Sequence, residues 1–229
     1  GKVILKNINL SAGSSQKLGV TYHQNGKDIW VITHYENSNL YESFLVTKTG
    51  ISSSVKSSVG PFFTSSHGDI KFNQQGTKVG AVVQDQSLIT LADFNNFNGK
   101  VSNSVGITGY YNLPHGCEFS PTGNKFYVSA FGTNGGVIQF QVSPDNYTTL
   151  NSSPINISDG FKPSGSLQLG PDNKIYIAHE PDFWSTSSYL GVIDFPENRG
   201  SSAGFKKKGV YLGSYGSSWE LPNVTLTNK

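Results

Sequence analysis

Gly116-Cys-Glu-Phe-Ser-Pro-Thr-Gly-Asn-Lys-Phe-Tyr-Val128 is an alternating segment, a turn and a second alternating segment, and the chain repeats this template. The other copies are Gly19-Val-Thr-Tyr-His-Gln-Asn-Gly-Lys-Asp-Ile-Trp-Val31, Asp69-Ile-Lys-Phe-Asn-Gln-Gln-Gly-Thr-Lys-Val-Gly-Ala81 and Ser166-Leu-Gln-Leu-Gly-Pro-Asp-Asn-Lys-Ile-Tyr-Ile177. Their anchors Tyr22, Phe72, Phe119 and Leu169 are 50, 47 and 50 residues apart. In each copy residues two apart are apolar, which places them on one face of a strand. Gly26, Gly76, Gly123 or Asn173 supplies a residue that tolerates positive φ in the turn. A period of about 40–50 residues built on strand–turn–strand units is the signature of a β-propeller.

Each copy continues into a third strand: 43–46, 89–94, 137–142 and 190–195. Weaker fourth strands are expected near 51–59, 100–107, 147–157 and 209–213. The expectation is therefore an all-β chain with four blades of four antiparallel strands, over about 18–60, 68–107, 115–157 and 165–213. Partial strands are expected at 1–10 and 216–227. Gly1-Lys-Val resembles Gly99-Lys-Val, the opening of a fourth strand, and the chain begins without Met, so it reads as a processed or excised segment. Two readings of the ends stay open. They share a fifth, closing blade, or the chain is part of a larger propeller completed by a missing segment or a protein partner, because an open arc leaves blade faces uncovered.

Composition narrows the function. With 17 basic and 15 acidic residues the formal charge is +2, which gives no electrostatic reason to expect nucleic acid as a partner. Lys206-Lys-Lys208 reads as a solvated turn or strand edge. No stretch is apolar and long enough to span a bilayer as a helix. Cys117, the single cysteine, sits at a repeated apolar position and reads as a buried, inert thiol. The glycosylation-type triplets at Asn146, Asn151, Asn156 and Asn223 read as chance matches in an Asn/Ser-rich chain.

The candidate site residues fall into three groups. Thr21, Lys71, Glu118 and Gln168 are equivalent positions opposite the apolar anchors on first strands, which line the channel of a propeller. They suit an inter-blade belt of ion pairs and hydrogen bonds, or a polar ring around a small ligand. His67 and His115 precede two of these strands, and with Asp69 and Glu118 they could supply a metal or ligand constellation, although nothing in the spacing requires a metal and no cofactor is expected. Phe62, Phe63, Tyr110, Tyr111, Phe183 and Trp184 fall in expected loops, where aromatics stack on sugars, anchor protein interfaces or cover a core. His34 and His179 follow second strands and read as loop hydrogen-bonders.

Taken in order, Lys27-Asp-Ile-Trp-Val-Ile-Thr-His34, His115 to Ser129, Gly165 to Ala178, Leu190-Gly-Val-Ile193 and Leu221-Pro-Asn223 resemble the β-propeller of large Bacteroidetes surface proteins associated with type IX secretion and gliding motility. The resemblance covers about residues 1–224. It implies WD40/YVTN-like repeats, further blades ahead of the first and a secreted or cell-surface location, and it transfers no catalytic residue. The expected function is a non-enzymatic module for recognition, adhesion or assembly. A carbohydrate-binding module using the loop aromatics and a metal-dependent, lactonase-like hydrolase using His67, Asp69, His115 and Glu118 are the alternatives.

Overall fold

The computed structural model describes residues 6–108, 111–142, 154–163, 165–180 and 185–223. It contains four antiparallel sheets, each a meander. Blade 1 comprises β1 (Ser14–Tyr22), β2 (Ile29–Tyr35), β3 (Ser38–Thr47), the short β4 (Gly50–Ile51) and β5 (Val55–Phe63), with β4 and β5 both pairing with β3. Blade 2 comprises β6 (Ile70–Phe72), β7 (Lys78–Val83), β8 (Leu88–Asn95) and β9 (Lys100–Thr108). Blade 3 comprises β10 (Pro114–Phe119), β11 (Lys125–Ala130), β12 (Gly136–Gln141) and β13 (Ile155–Asn156). Blade 4 comprises β14 (Leu167–Leu169), β15 (Ile175–Ile177), β16 (Tyr189–Ile193) and β17 (Phe205–Tyr211). Residues 6–10 carry no strand, and within 216–223 the only pairing assigned is the Ser187–Ser217 bridge. Residues 1–5 and 224–227 of the expected terminal strands lie outside the described residues, as do 143–153.

The turns form as the composition requires. In blade 2 the Asn73 side-chain oxygen accepts from the Thr77 and Lys78 amides at 2.8 and 2.9 Å, and Gly76 takes φ 64°. A short polar side chain closing on its own backbone, followed by a residue free to adopt positive φ, makes a tight turn inexpensive.

Each blade has a rear face towards the preceding blade and a front face towards the next. The rear faces of blades 2 to 4 carry the repeated apolar positions. Ile70, Val79 and Ala81 are buried, as are Cys117, Phe119, Phe126 and Val128, and Leu167, Leu169, Ile175 and Ile177. They pack on front-face residues of the blade before: Trp30 and Ile32 of blade 1, Val82, Ile89 and Leu91 of blade 2, and Tyr127 and Val137 of blade 3. First strands touch in the order β1, β6, β10, β14, and no comparable contact joins β14 to β1 among the described residues.

The close approach of blades leaves some positions no room for a side chain. A Cβ on Gly80 would lie 2.4 Å from the Phe126 ring of blade 3, and one on Gly116 would lie 2.6 Å from the Ser166 Cα of blade 4. Gly80→Ala is therefore expected to destabilise by about 1–3 kcal/mol through overpacking. Phe119→Ala is expected to cost about 3–5 kcal/mol through a cavity. Urea unfolding of both variants checks the assignment, and a Phe119→Ala loss below about 1 kcal/mol contradicts its core position.

Candidate functional site

The first strands surround an axial channel whose polar side chains come from positions alternating with the apolar anchors. β10 projects Glu118 inward because Cys117 and Phe119 on either side are committed to the rear-face core. Glu118 is 4% exposed. Its two carboxylate oxygens accept from the backbone amides of Phe119, at 2.8 Å, and of Leu169 on blade 4, at 2.9 Å. Asp69 accepts from its neighbour Ile70 at 2.8 Å and from Cys117 on blade 3 at 3.4 Å. Lys71 donates to Gln168 Oε1 at 3.0 Å and to Asn223 Oδ1 at 3.1 Å. Of the four positions expected to form a belt, Lys71, Glu118 and Gln168 take part in hydrogen bonds between blades, with amides donating to the carboxylate and Lys71 donating to side-chain amide oxygens, and Thr21 is buried beside them.

Lys17 makes the corresponding link from blade 1 to blade 2. It is buried, and its ammonium donates to the carbonyls of Ser66 at 2.7 Å, His67 at 3.0 Å and Ser65 at 3.4 Å. Burial pulls it down to about 8, against the opposing pull of Asp69 and Asp85. The sequence analysis did not single out Lys17. Its signal was a lysine alternating with Gly19 and Thr21 on the face that meets blade 2.

A second unanticipated feature is a strap, residues 219–223, that crosses the channel mouth. The Trp219 carbonyl accepts from the Ser166 amide at 2.7 Å, and the Leu221 amide donates to Ser166 Oγ at 2.5 Å. Glu220 Oε1 lies 2.9 Å from His115 Nε2. Asn223 accepts from Lys71 and donates to the Leu18 carbonyl at 2.8 Å. The strap thus touches first-strand residues or flanks of all four blades. Between it and blade 1 lies a cavity of about 360 Å³ bordered by Leu18, Val20, Asp69, Lys71, Glu220 and Asn223. A smaller space of about 40 Å³ lies beside Glu118, Gln168 and Lys71.

The proposed metal constellation does not assemble. His67 is exposed and sits 3.0 Å from Asp85, whereas His115 is buried between Gln84, at 3.0 Å, and Glu220. Neither histidine is bonded to Asp69 or Glu118, whose oxygens serve backbone amides, and among the described residues no group of three His, Cys, Asp or Glu side chains could hold a metal.

The loop aromatics also need correction. Phe63 is fully buried because β5 runs on through it and pairs with Ser38, placing its ring on His34 at 3.7 Å between centroids. Tyr111 is buried against Phe140 in the core between blades 2 and 3. Phe62 is 53% exposed, as alternation beside Phe63 requires. Tyr110, Phe183 and Trp184 lie outside the described residues. His34, expected in a loop, is instead buried at the end of β2, which pulls it down to about 4.

Burial pushes Glu118 up to about 7, with Lys71 and the two amides pulling back, and it also raises Asp69 and lifts Cys117 well above the usual thiol range. Because the folded value for Glu118 exceeds the unfolded 4.5, the native state binds the extra proton between them. Its stabilising effect is full below pH 4.5 and disappears as pH rises through 7. His34 acts oppositely, its contribution being full above 6.5 and lost as pH falls through 4. Relative to Glu118→Gln, the wild-type chain is expected to lose roughly 3 kcal/mol of stability between pH 4.5 and 7.5, measured by denaturant unfolding. Parallel profiles for the two proteins would contradict the assignment.

No protein-family profile matches this chain, and no curated protein sequence matches it. Solved structures do. A candidate 6-phosphogluconolactonase from Bacteroides uniformis superposes with TM-score 0.54 at 14% identity over 90% of this chain and 56% of its own. The WD40 repeats of RRP9 give 0.51 at 12% identity over 83% and 51%, and the WD40 domain of Toxoplasma gondii coronin gives 0.50 at 11% over 82% and 44%. The likeness shows the fold, a β-propeller. The chain spans about half the length of these structures.

Proposed function

We propose that this chain is a non-enzymatic β-propeller module for protein recognition and assembly, acting in a secreted complex or at a cell surface. The observation that carries the reading is a contrast within the molecule. The polar channel groups with catalytic potential are committed to holding blades together, while the rear face of blade 1 has apolar side chains that the described residues leave partly exposed. Leu18 on the rear face of blade 1 is 55% exposed, and Val20, Tyr22, Ile29 and Val31 beside it are half-buried. Clustered apolar exposure of this kind marks protein contact sites. The location follows the resemblance to Bacteroidetes surface propellers, as does adhesion as the setting for such contacts. WD40 propellers among the solved structures of similar fold are in keeping with an interaction module.

One observation favours a second reading, a lactonase-like hydrolase. Glu118 is a carboxyl near neutrality beside a channel cavity, and a candidate 6-phosphogluconolactonase shares the fold. Against it stand the dispersal of His67 and His115 and the engagement of both Glu118 oxygens. A glycan platform keeps only Phe62 as an exposed aromatic among the described candidates.

Hydrolysis of δ-lactones, including 6-phosphogluconolactone, separates the readings. With and without added Zn²⁺, Mg²⁺ or Ca²⁺, the purified chain is expected to leave the spontaneous rate unchanged. A metal-dependent acceleration abolished by Glu118→Gln would overturn the proposal in favour of the hydrolase.

A further inference from the structure

We propose that a groove formed by the turns of blades 1 and 2 binds neutral oligosaccharides, with Phe97 as the stacking platform and side-chain amides and hydroxyls as the polar partners. The site is separate from the rear face of blade 1 that supports the reading of protein recognition. It uses none of the loop aromatics expected from the sequence.

The groove has a volume of about 700 Å³. It is bordered by Gln24 of the β1–β2 turn, Thr77 ahead of β7, Asp93 and Asn95 of β8, Asn96 of the β8–β9 turn and Ser102 of β9. Small-molecule sites run from about 300 to 1,000 Å³. The two turns are tied together. The Gln24 amide donates to the Asn96 carbonyl at 3.1 Å, and Trp30 Nε1 donates to the same carbonyl at 2.9 Å. Asn96 Nδ2 donates to the Gln75 carbonyl at 3.2 Å. Gly99 ends the turn at φ 76°, where a Cβ would lie 2.6 Å from the Trp30 ring. A surface fixed before its ligand arrives loses little conformational freedom on binding.

The same turn carries Phe97. Asn95 Oδ1 accepts from the Phe97 and Asn98 amides at 3.0 and 3.2 Å. This local cap leaves the Phe97 ring 67% exposed, beside the His23 ring at 6.1 Å between centroids. Trp30 and Phe94 are buried in the core between blades 1 and 2, which closes without Phe97. An exposed ring on a pinned turn offers a flat apolar face to the C–H face of a pyranose.

The polar groups and the charge narrow the ligand. Among the described residues the Gln24 side-chain amide, Asn95 Nδ2, Asn96 Oδ1 and Ser102 Oγ make no hydrogen bond, which leaves both donors and acceptors for a ligand. Sugar hydroxyls donate and accept, so this mixture suits them. Lys78 pairs with Asp93 at 2.7 Å, and Asn103 donates to the other Asp93 oxygen at 2.7 Å. The lining therefore carries one matched ion pair and no surplus charge, which favours a neutral sugar over an acidic one. A peptide side chain finds little to bury against, because Phe94, the apolar residue of the lining, is itself buried.

The purified chain is tested on an array of neutral gluco-, galacto- and manno-oligosaccharides beside uronate- and sialate-bearing ones, and the strongest neutral ligand is titrated by calorimetry. A neutral oligosaccharide is expected to bind equally well at low and high salt. Phe97→Ala and Gln24→Ala, both changes at exposed positions, are each expected to weaken that binding about tenfold or more. The urea midpoint of both variants is expected to match that of the unmodified chain. Silence of every neutral oligosaccharide, recognition of acidic glycans alone, or full affinity in both variants would overturn the site. Each of those results leaves the reading of protein recognition standing, since neither Phe97 nor Gln24 belongs to the surface that supports it.

Discussion

The fold depends on one contact repeated three times, the packing of an apolar rear face onto the front face of the blade before it. A four-stranded meander by itself leaves both faces wet. Stacking gives Phe119, Phe126, Ile175 and Ile177 a neighbour on each side and removes them from water. Because the interior is close-packed, the fit is set to the level of single carbon atoms, and Gly80 and Gly116 are glycines because the next blade occupies the space of their Cβ. Among the described residues, blade 1 and blade 4 differ from the others in each having one face with no blade packed on it.

Apolar packing holds the blades together without fixing their rotation about the axis. That is the role of the polar groups near it. Lys17 links blade 1 to blade 2, Asp69 links blade 2 to blade 3, and Glu118 links blade 3 to blade 4, each bonding backbone groups of the next blade. A backbone partner is positioned by the strand itself, so the bond reports register directly. These groups are buried at an electrostatic cost, visible in the upward displacement of Glu118 and the downward displacement of Lys17.

Much of this was legible in the sequence because alternation and turn chemistry are local. The spacing of Tyr22, Phe72, Phe119 and Leu169 located the blades, and the polar alternates placed Lys71, Glu118 and Gln168 beside the channel. What local pattern could not supply was the identity of distant partners. The alternation left open whether Glu118 and Lys71 join a belt of ion pairs or of hydrogen bonds, and the amides of Phe119 and Leu169 that take the Glu118 oxygens leave no mark in the local pattern. His67 and His115 share nearly the same offset in the repeat but diverge because Asp85 and Glu220 come from unrelated segments. Pro61-Phe62-Phe63 fell in an expected loop just past the fourth strand near 51–59, whereas it ends an outer strand, where a missing amide proton is tolerated.

The strap has a consequence for how the molecule is made. It follows blade 4 in sequence, yet it bonds to residues beside the first strands of every blade, from Ser166 back to Leu18. On a ribosome the blades emerge in order, and each can close on its predecessor as soon as its own meander is complete. The axial seal cannot form until all of them have emerged. Nascent chains therefore pass through a period in which the blades are stacked but the channel mouth is unbarred, with Lys71 and His115 lacking their strap partners. The strap works as a closing stitch, drawn through only after the layers it joins are in place.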